Sequence, residues 1–477
     1  MDRLLVMKFG GTSVGSAERI QGAADLIAAG ARARPTVAVV SAMSKVTDLL
    51  LDTLQKAENG DEAGLEANLL ALRDKHLEAC HKLLPAEAQS FITQRIEELI
   101  GGFERIARGM LLLGERPLRS VDQAITTGER LSALLVSAVL ESRGIAAEAV
   151  DAAEAIVTDD DFGCASPLMA ETTDKARERL LPALKAGRIP IVTGFNGATR
   201  DGRPTTLGRG GSDFSGAILA AALDAEEVWI WTDVDGILSA DPRVVADARV
   251  LPEVTYNEAA ELAYNGAKVL HPRTLAPLAE RRIPVWIKNS FDPSKPGTRI
   301  VAQITDGHGV RAITSLGQVA LISIEAASPS MSGAQLMARA LEAAARADVE
   351  VLLLTRSSFR QNFCMLVRLE ELRDLMESLR DDLALELAHG YVHSIDVDQS
   401  VGLLAAVGEG MRGTPGLAGR VFSAISSENI NIIAIAQGSS ELTIAIVVKQ
   451  DALDAAVRVL HSECRLGVGR PAPVKVV

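Results

Sequence analysis

Residues 4–13, LLVMKFGGTS, constrain the fold more than any other stretch of the sequence. The apolar run at 4–7 suits a strand buried on both faces of a parallel sheet, which points to an α/β protein. It delivers Lys8 and the pair Gly10 and Gly11 at the strand's C-terminal end, followed by Thr12 and Ser13. A helical pattern comes next, with Ser16 as its expected N-cap, Glu18 in the first turn, and Ile20, Ala24 and Ile27 on one face. In a strand, glycine turn and helix, backbone N–H groups and a helix N-terminus can hold a phosphate. Lys8 adds a point charge able to follow a moving phosphoryl group. The same residues also suit a plain βα turn with a lysine nearby. The stretch fits neither GxxxxGK[ST] nor GxGxxG, the two common nucleotide fingerprints.

A chain of 477 residues exceeds one ordinary core, so two or three domains are expected. With 48% hydrophobic and 23% charged residues it reads as soluble and globular, and 3% aromatics leave Leu, Val, Ile and Ala to build the core. A net charge of −13 argues against nucleic acid or an anionic membrane as partner. An anionic substrate such as ATP then demands a local concentration of Lys and Arg. Cys80, Cys164, Cys364 and Cys464 lack CxxC spacing and read as reduced thiols, not as a disulfide framework or zinc site. No apolar run approaches the ~18–20 residues of a membrane span. The sequence enters its first strand at once, so no signal peptide is expected and the cytoplasm is the expected location.

A second apolar run, 35–40, ends in SAMSKVT at 41–47, and open α/β sheets place ligands at such strand ends. From about 49 to 115 helical spacing dominates, as at Leu65, Leu69 and Leu72. That region reads as a helical insertion without chemistry. ITTGER at 125–130 precedes an apolar helix, where Glu129 suits either a helix-dipole partner or a binder of a substrate ammonium. Residues 188–195 form another buried strand, and Asn-Gly and Asp-Gly pairs after it signal a hairpin.

TLGRGGSD at 206–213 opens an Ala-rich helix. Arg209, among glycines and beside Ser212 and Asp213, can take a carboxylate or phosphate bidentately, or remain a solvated arginine. A strand at 227–232 runs into TDVDG and then DPR at 241–243; these aspartates suit nucleoside or magnesium contacts, or turn formation. Lys268 stands before Pro272, read as a helix break, and a strand at 283–288 closes this half. Lys8, Lys45, Arg209, Arg243 and Lys268 supply the local positive charge that an acidic chain needs for ATP.

After residues 292–297 (DPSKPG) two passes of a βαββαβ pattern appear. The first uses strands at 319–325, 349–355 and 362–368 with helices at 333–346 and from 370. The second uses strands at 401–408, 430–435 and 441–449 with helices at 416–428 and 452–464.

Together these segments resemble the aspartate kinases of the amino acid kinase family. The resemblance rests on KFGGTS (8–13), SAMSKVT (41–47), TGE (127–129), GRGGSD (208–213), TDVDG (232–236), DPR (241–243) and GAKVLHP (266–272), in family order. It implies a three-layer αβα kinase domain at 1–298 with a largely parallel sheet, then ferredoxin-like ACT domains at 299–395 and 396–477. Residues 310–316 would complete the second ACT unit. The implied reaction is transfer of the ATP γ-phosphoryl group to the β-carboxylate of L-aspartate. It opens the lysine, threonine and methionine branch of biosynthesis, under feedback through the ACT domains. Lys8, with the Gly10 and Gly11 N–H groups, would stabilise the transferring phosphoryl, and Asp213 would orient that lysine. Arg209 would clamp the aspartate α-carboxylate and Glu129 its ammonium. Ser41, Thr47, Phe195, Thr206 and Ser212 would complete the substrate pocket.

Thr12, Thr232, Asp233, Leu238, Arg243, Lys268 and Val269 would hold ATP, with Mg2+ carried mainly by its phosphates and no protein metal site. Effector positions would be Met331, Gly333, Asn431, Ile432 and Gln437, with lysine or threonine as effector and a homodimer or larger homo-oligomer formed through the ACT domains. Two departures stand out. Leu238 replaces the family's frequent tyrosine near the purine, and Leu352 stands where lysine-sensitive members carry aspartate. Nothing resembling a homoserine dehydrogenase half is expected. A catalytically silent amino-acid sensor, or the same fold acting on glutamate or a nucleotide, are the competing readings.

Overall fold

In the computed structural model, which describes residues 3–267, 270–304, 309–327, 332–356 and 362–467, the chain divides into two compact units. The first comprises residues 1–237, 252–256 and 269–303. The second comprises 238–251, 257–268 and everything from 304 onward.

The first unit begins with β1 (Leu5–Phe9), buried at every position, and α1 (Ala17–Ala33), whose N-cap Ser16 accepts the Arg19 N–H. Next come β2 (Thr36–Val40) and a helical run: α2 (Val46–Glu58), α3 (Glu62–Leu83), α4 (Ala86–Leu113), α5 (Leu118–Ile125) and α6 (Thr127–Ser142). Strands β3 (Ala147–Val150) and β4 (Val157–Thr158) lead to α7 (Met169–Lys185). Then follow β5 (Ile189–Thr193), β6 (Asn196–Thr199), β7 (Pro204–Thr206), α8 (Gly211–Ala222) and β8 (Glu227–Thr232). Strand β9 (Glu253–Thr255), α10 (Pro272–Arg281), β10 (Val285–Asn289) and β11 (Thr298–Val301) complete this unit, whereas α9 (Tyr256–Tyr264) between them falls mostly in the second.

Among the described residues the main sheet has eight strands in the order β3-β5-β2-β1-β8-β10-β11-β9, parallel except for the β10–β11 pair. Its two faces are covered separately. Met7 sends its sulfur against Gly30 of α1, while Lys8, next on the strand, packs against Gly216 of α8. Helices α2 to α6 join β1, β2 and β5 in one apolar core of Leu, Ile, Val and Ala with Phe9 and Phe103.

Three features of this unit differ from the sequence expectation. Asn196 and Gly197 lie in β6, not in a turn. A side chain at 197 would meet Thr158 at 2.9 Å, and the expected hairpin turns at the other signal, Asp201-Gly202 (φ +82° at Gly202), which joins β6 to antiparallel β7. Pro272 opens α10 at its first turn, where its missing N–H is harmless. Strand β10 does not end the sheet, because β11 and β9 extend it, and the expected boundary at 298 falls inside β11.

The second unit carries β12 (Ala312–Ala326), α11 (Gly333–Arg346), β13 (Leu353–Arg356), β14 (Phe363–Arg368), α12 (Leu372–Asp382), α13 (Ala384–Ala388), β15 (Val392–Val407), α14 (Leu417–Ser427), β16 (Ala434–Gln437), β17 (Thr443–Lys449) and α15 (Leu453–Glu463). The strand that follows the first helix of each pass starts later than expected. In the second pass Asn429 (φ +56°) turns the chain, and the strand begins only at Ala434.

The two passes form one six-stranded sheet, β13-β14-β12-β15-β17-β16. Strands β12 and β15 run through both halves. Residues Ala312 to Leu316 pair with Leu403 to Val407, whereas Val319 to Ala326 pair with Val392 to Val401. A bulge between Leu316 and Val319 marks the passage between halves, and residues 312–316 thereby supply the fourth strand of the second ACT unit. Among the described residues no helix is long and apolar enough to cross a membrane.

Candidate active site

Lys8 sits on a central strand, only 6% exposed, with its Nζ 2.6 Å from Oδ1 of Asp213. Asp213 lies in the first turn of α8, which Gly210 (φ +70°) caps. A side chain at Gly210 would strike His271 at 2.6 Å, so glycine is needed there twice over. Beyond Lys8 the chain passes through Gly10, where an added Cβ would stand 3.6 Å from the lysine Nζ. The Gly10 N–H donates to the Trp231 carbonyl at 3.2 Å, extending the β1–β8 ladder. It is therefore not free for a phosphoryl group, contrary to the sequence expectation. Gly11 opens a 3-10 turn (Gly11–Val14) that also holds Thr12, and the first N–H groups of such a turn have no acceptor within it. Ser13 closes the loop against the Trp231 carbonyl and the Ser290 hydroxyl.

The loop after β2 folds back on this turn. Ser41 donates its N–H to the Phe9 carbonyl, and the Ala42 N–H donates to Glu129 Oε1 at 3.1 Å. Gly128 permits the approach, since a side chain there would lie 2.8 Å from the Ala42 Cβ. Thr47 stands in the first turn of α2, whose N-cap Lys45 is left-handed. Lys75 of α3 donates to the Ser44 carbonyl at 2.7 Å, so the helical run supports this loop.

Glu129 is 2% exposed, and no described residue donates to its Oε2. Burial pushes its carboxyl up to about 8, against the opposite pull of the Ala42 N–H, its own backbone N–H and the Lys8 charge. A buried carboxylate oxygen with no donor asks for a cationic ligand group.

Phe195, Thr206, Ser212 and Arg209 line up along the start of α8. Phe195 adopts φ +73°; its N–H is held by Ser215 Oγ at 2.9 Å and its carbonyl by the Leu207 N–H. Gly211 lies beneath its ring, and Gly194 makes room for Ser212. Arg209 is exposed on the glycine-rich loop between β7 and α8.

Sequence reasoning missed Asp122, which is 1% exposed and accepts from Thr206 Oγ1 (2.8 Å), the Thr206 N–H (3.0 Å) and the Gly163 N–H (2.9 Å). Burial raises its carboxyl above the usual range despite these donors. Its sole signal in the sequence was a charge on the buried face of α5, beside Val121, Ala124 and Ile125. The exposed Cys164 adjoins this network, its sulfur accepting from Arg273 Nη1 at 3.2 Å and standing 3.1 Å from where a Gly208 Cβ would be.

At the end of β8, the Thr232 carbonyl accepts from Ser290, and its hydroxyl donates to Asp233. Leu238 and Arg243, by contrast, belong to the second unit. Arg243 is exposed and pairs with Asp241, with Nη2 to Oδ2 at 2.6 Å. Lys268 and Val269 lie outside the described residues, as does Met331. Gly333 opens α11 behind the capping box of Ser332 and Gln335, Asn431 and Ile432 precede β16, and Gln437 ends it.

The first unit thus joins a buried lysine–aspartate pair, a turn whose first N–H groups have no acceptor within it, and a buried carboxyl with one oxygen that no described residue donates to. Such a set suits an anionic group in motion beside a zwitterion.

The amino acid kinase family model matches residues 3–289, and an ACT domain model matches 404–464. The chain is 36% identical over 469 residues to the chloroplastic bifunctional aspartokinase/homoserine dehydrogenase 1 of Arabidopsis thaliana, spanning 97% of this chain and 51% of that protein. To the chloroplastic aspartokinase 2 of the same plant it is 32% identical, spanning 96% and 83%. The chain spans about half the length of the bifunctional relatives it matches. Its fold is similar to E. coli aspartokinase III solved with aspartate and ADP in the R-state, with a TM-score of 0.83, 31% identity, and 97% and 99% of the two chains covered. The same enzyme with lysine and aspartate in the T-state gives 0.79 at 31% identity, covering 96% and 99%.

Proposed function

Because the chain belongs to the amino acid kinase family, among its aspartokinases, we propose that it transfers the γ-phosphoryl group of ATP to the β-carboxylate of L-aspartate, giving 4-phospho-L-aspartate and ADP. The observation that carries this reading is the Lys8–Asp213 pair, with the Lys8 charge felt by buried Glu129, one of whose oxygens accepts from no described residue. One serves a phosphoryl group and the other an α-ammonium.

The acceptor is already a nucleophile at neutral pH, so no strong base is required. Rate comes from alignment and charge stabilisation. Lys8 meets the charge on the transferring group, Asp213 fixes the lysine, and Gly11 and Thr12 present N–H groups. Gly10 contributes by lacking a side chain. Arg209 takes the α-carboxylate and Glu129 the ammonium, with Ser41, Thr47, Phe195, Thr206 and Ser212 around the substrate. Thr232, Asp233, Leu238, Arg243, Lys268 and Val269 are assigned to the nucleotide. Mg2+ is assigned to the phosphates, where it neutralises charge, because Asp213 is engaged by Lys8 and Asp235 by Asn289.

Feedback through the ACT units belongs to the same reading, with Met331, Gly333, Asn431, Ile432 and Gln437 as effector positions. The lysine complex of E. coli aspartokinase III supports lysine as the first effector to try. Protomers are assigned to pair through the ACT sheet, so light scattering at micromolar concentration should give at least a dimer. Trapping the product with hydroxylamine tests the activity, and folded protein that forms no aspartyl hydroxamate from ATP and aspartate would end the proposal.

A further inference from the structure

Within the second unit, Ser239 and Asp247 of the 238–251 segment stand on either side of His461 of α15. Ser239 Oγ lies 2.9 Å from His461 Nε2, and His461 Nδ1 lies 3.8 Å from Asp247 Oδ1. This is no hydrolytic triad. Ser239 is 0% exposed and its hydroxyl also accepts the Arg249 N–H at 3.0 Å, so no substrate carbonyl reaches it.

The same serine is tied down on its backbone. Its N–H donates to the Arg249 carbonyl, and its own carbonyl accepts the Ile313 N–H at 2.8 Å from the strand that completes the second ACT unit. Ala240 and Val245 flank it in the apolar core built by Val457 and Leu460 of α15, by Cys464 just after that helix, and by Val421 and Ile425 of α14. Gly467 closes over Asp247, where a side chain would collide with the carboxylate. Between these anchors, the turn at 241–243 carries exposed Pro242 and Arg243, the arginine steered by half-buried Asp241. A turn with an exposed tip takes its placement from what holds its ends.

We propose that His461 of the second ACT unit is a positioning residue for nucleotide binding, acting through Ser239 on the turn that bears Arg243. The inference rests on the reading of Arg243 as a nucleotide group. Its consequence is specific: loosening the clasp weakens ATP binding while leaving aspartate binding and chemistry nearly untouched.

The test uses the full chain and steady-state kinetics with each substrate varied in turn. His461→Phe should raise the ATP KM about tenfold, the size of effect expected for one buried hydrogen bond, with kcat and the aspartate KM within about twofold. His461→Gln, which keeps a polar group for Ser239, should recover most of the loss. Ser239→Ala, the milder change, should reproduce the phenylalanine variant, and the double variant should be no worse than either single one. Additive losses, or a fall in kcat or in aspartate affinity without a change in ATP KM, would overturn the clasp. Arg243→Ala tests the premise separately. If it raises the ATP KM while the His461 variants do not, only the clasp fails. If it leaves the ATP KM unchanged, the nucleotide assignment of the turn fails first.

Discussion

Replacing Glu129 by Gln probes the most unusual group in the first unit. Its carboxyl sits at about 8 instead of 4.5 because it is buried with one oxygen undonated. An aspartate ammonium binds the ionised form, so below pH 8 binding must first remove a proton. The factor 1 + 10^(8−pH) weakens apparent affinity about thirtyfold at pH 6.5 and about twofold at pH 8. The aspartate KM of the unaltered protein should therefore fall roughly fifteenfold between these two values. Gln cannot ionise, so Glu129→Gln should show a flat profile. At pH 8 its KM should be about thirtyfold higher, corresponding to roughly 2 kcal/mol for a lost buried charge pair.

Stability of the ligand-free protein moves the other way. A carboxyl whose folded pKa lies above its unfolded one makes folding less favourable as pH rises, from about 4.5 until the effect is complete near 8. The variant should thus gain thermal stability over the parent, most clearly at about pH 8. Initial rates across pH with saturating ATP, paired with thermal melts, measure both effects. An unaltered protein whose aspartate KM is constant from pH 6.5 to 8, or a variant with parental KM, would refute the assignment.

Lys8→Ala should lower kcat by about two to three orders of magnitude with the aspartate KM within about threefold, while Arg209→Ala should chiefly raise that KM. Equal effects of Arg209→Ala on both parameters, or none on KM, would count against the clamp. Asp122→Asn turns an acceptor of three hydrogen bonds into a group with one acceptor oxygen and should lose about 1–3 kcal/mol in chemical denaturation while raising the aspartate KM. Iodoacetamide should label the exposed Cys164 before the half-buried Cys364, as read by peptide mass spectrometry, and labelling should slow the enzyme because the adduct crowds Gly208. A Cys164→Ser variant should stay active and resist the reagent.

Much of the site was legible because parallel strands advertise themselves. Unbroken apolar runs ending in Gly or small hydroxyl residues located β1, β2, β5 and β8 and the loops that follow them. What the sequence hid was long-range. Nothing local ties Asp122 to Thr206, 84 positions away, and a carboxylate on a helix is ordinary until its face proves buried. The Gly10 N–H looked available because neighbouring strands cannot be read from one strand's residues; only the pairing with β8 reveals its acceptor. Residues 238–251 read as a continuation of the kinase half, yet Ala240 and Val245 find their apolar partners on the ACT helices. Chain order is a poor guide where a segment leaves one core and returns to it.

Strands β12 and β15, threading both halves of the six-stranded sheet, also bear on how such a protein can be recombined. A chimera joined at residue 395 or 396 would sever β15 and strip β12 of its partner, leaving two unpaired edges open to aggregation. Exchanging one effector specificity for another therefore calls for transplanting residues 309–467 as a block, because neither ACT repeat owns a complete sheet. Laboratory shuffling should reject crossovers within that block, and the 238–251 segment, whose Ala240 and Val245 join the same core, should travel with it.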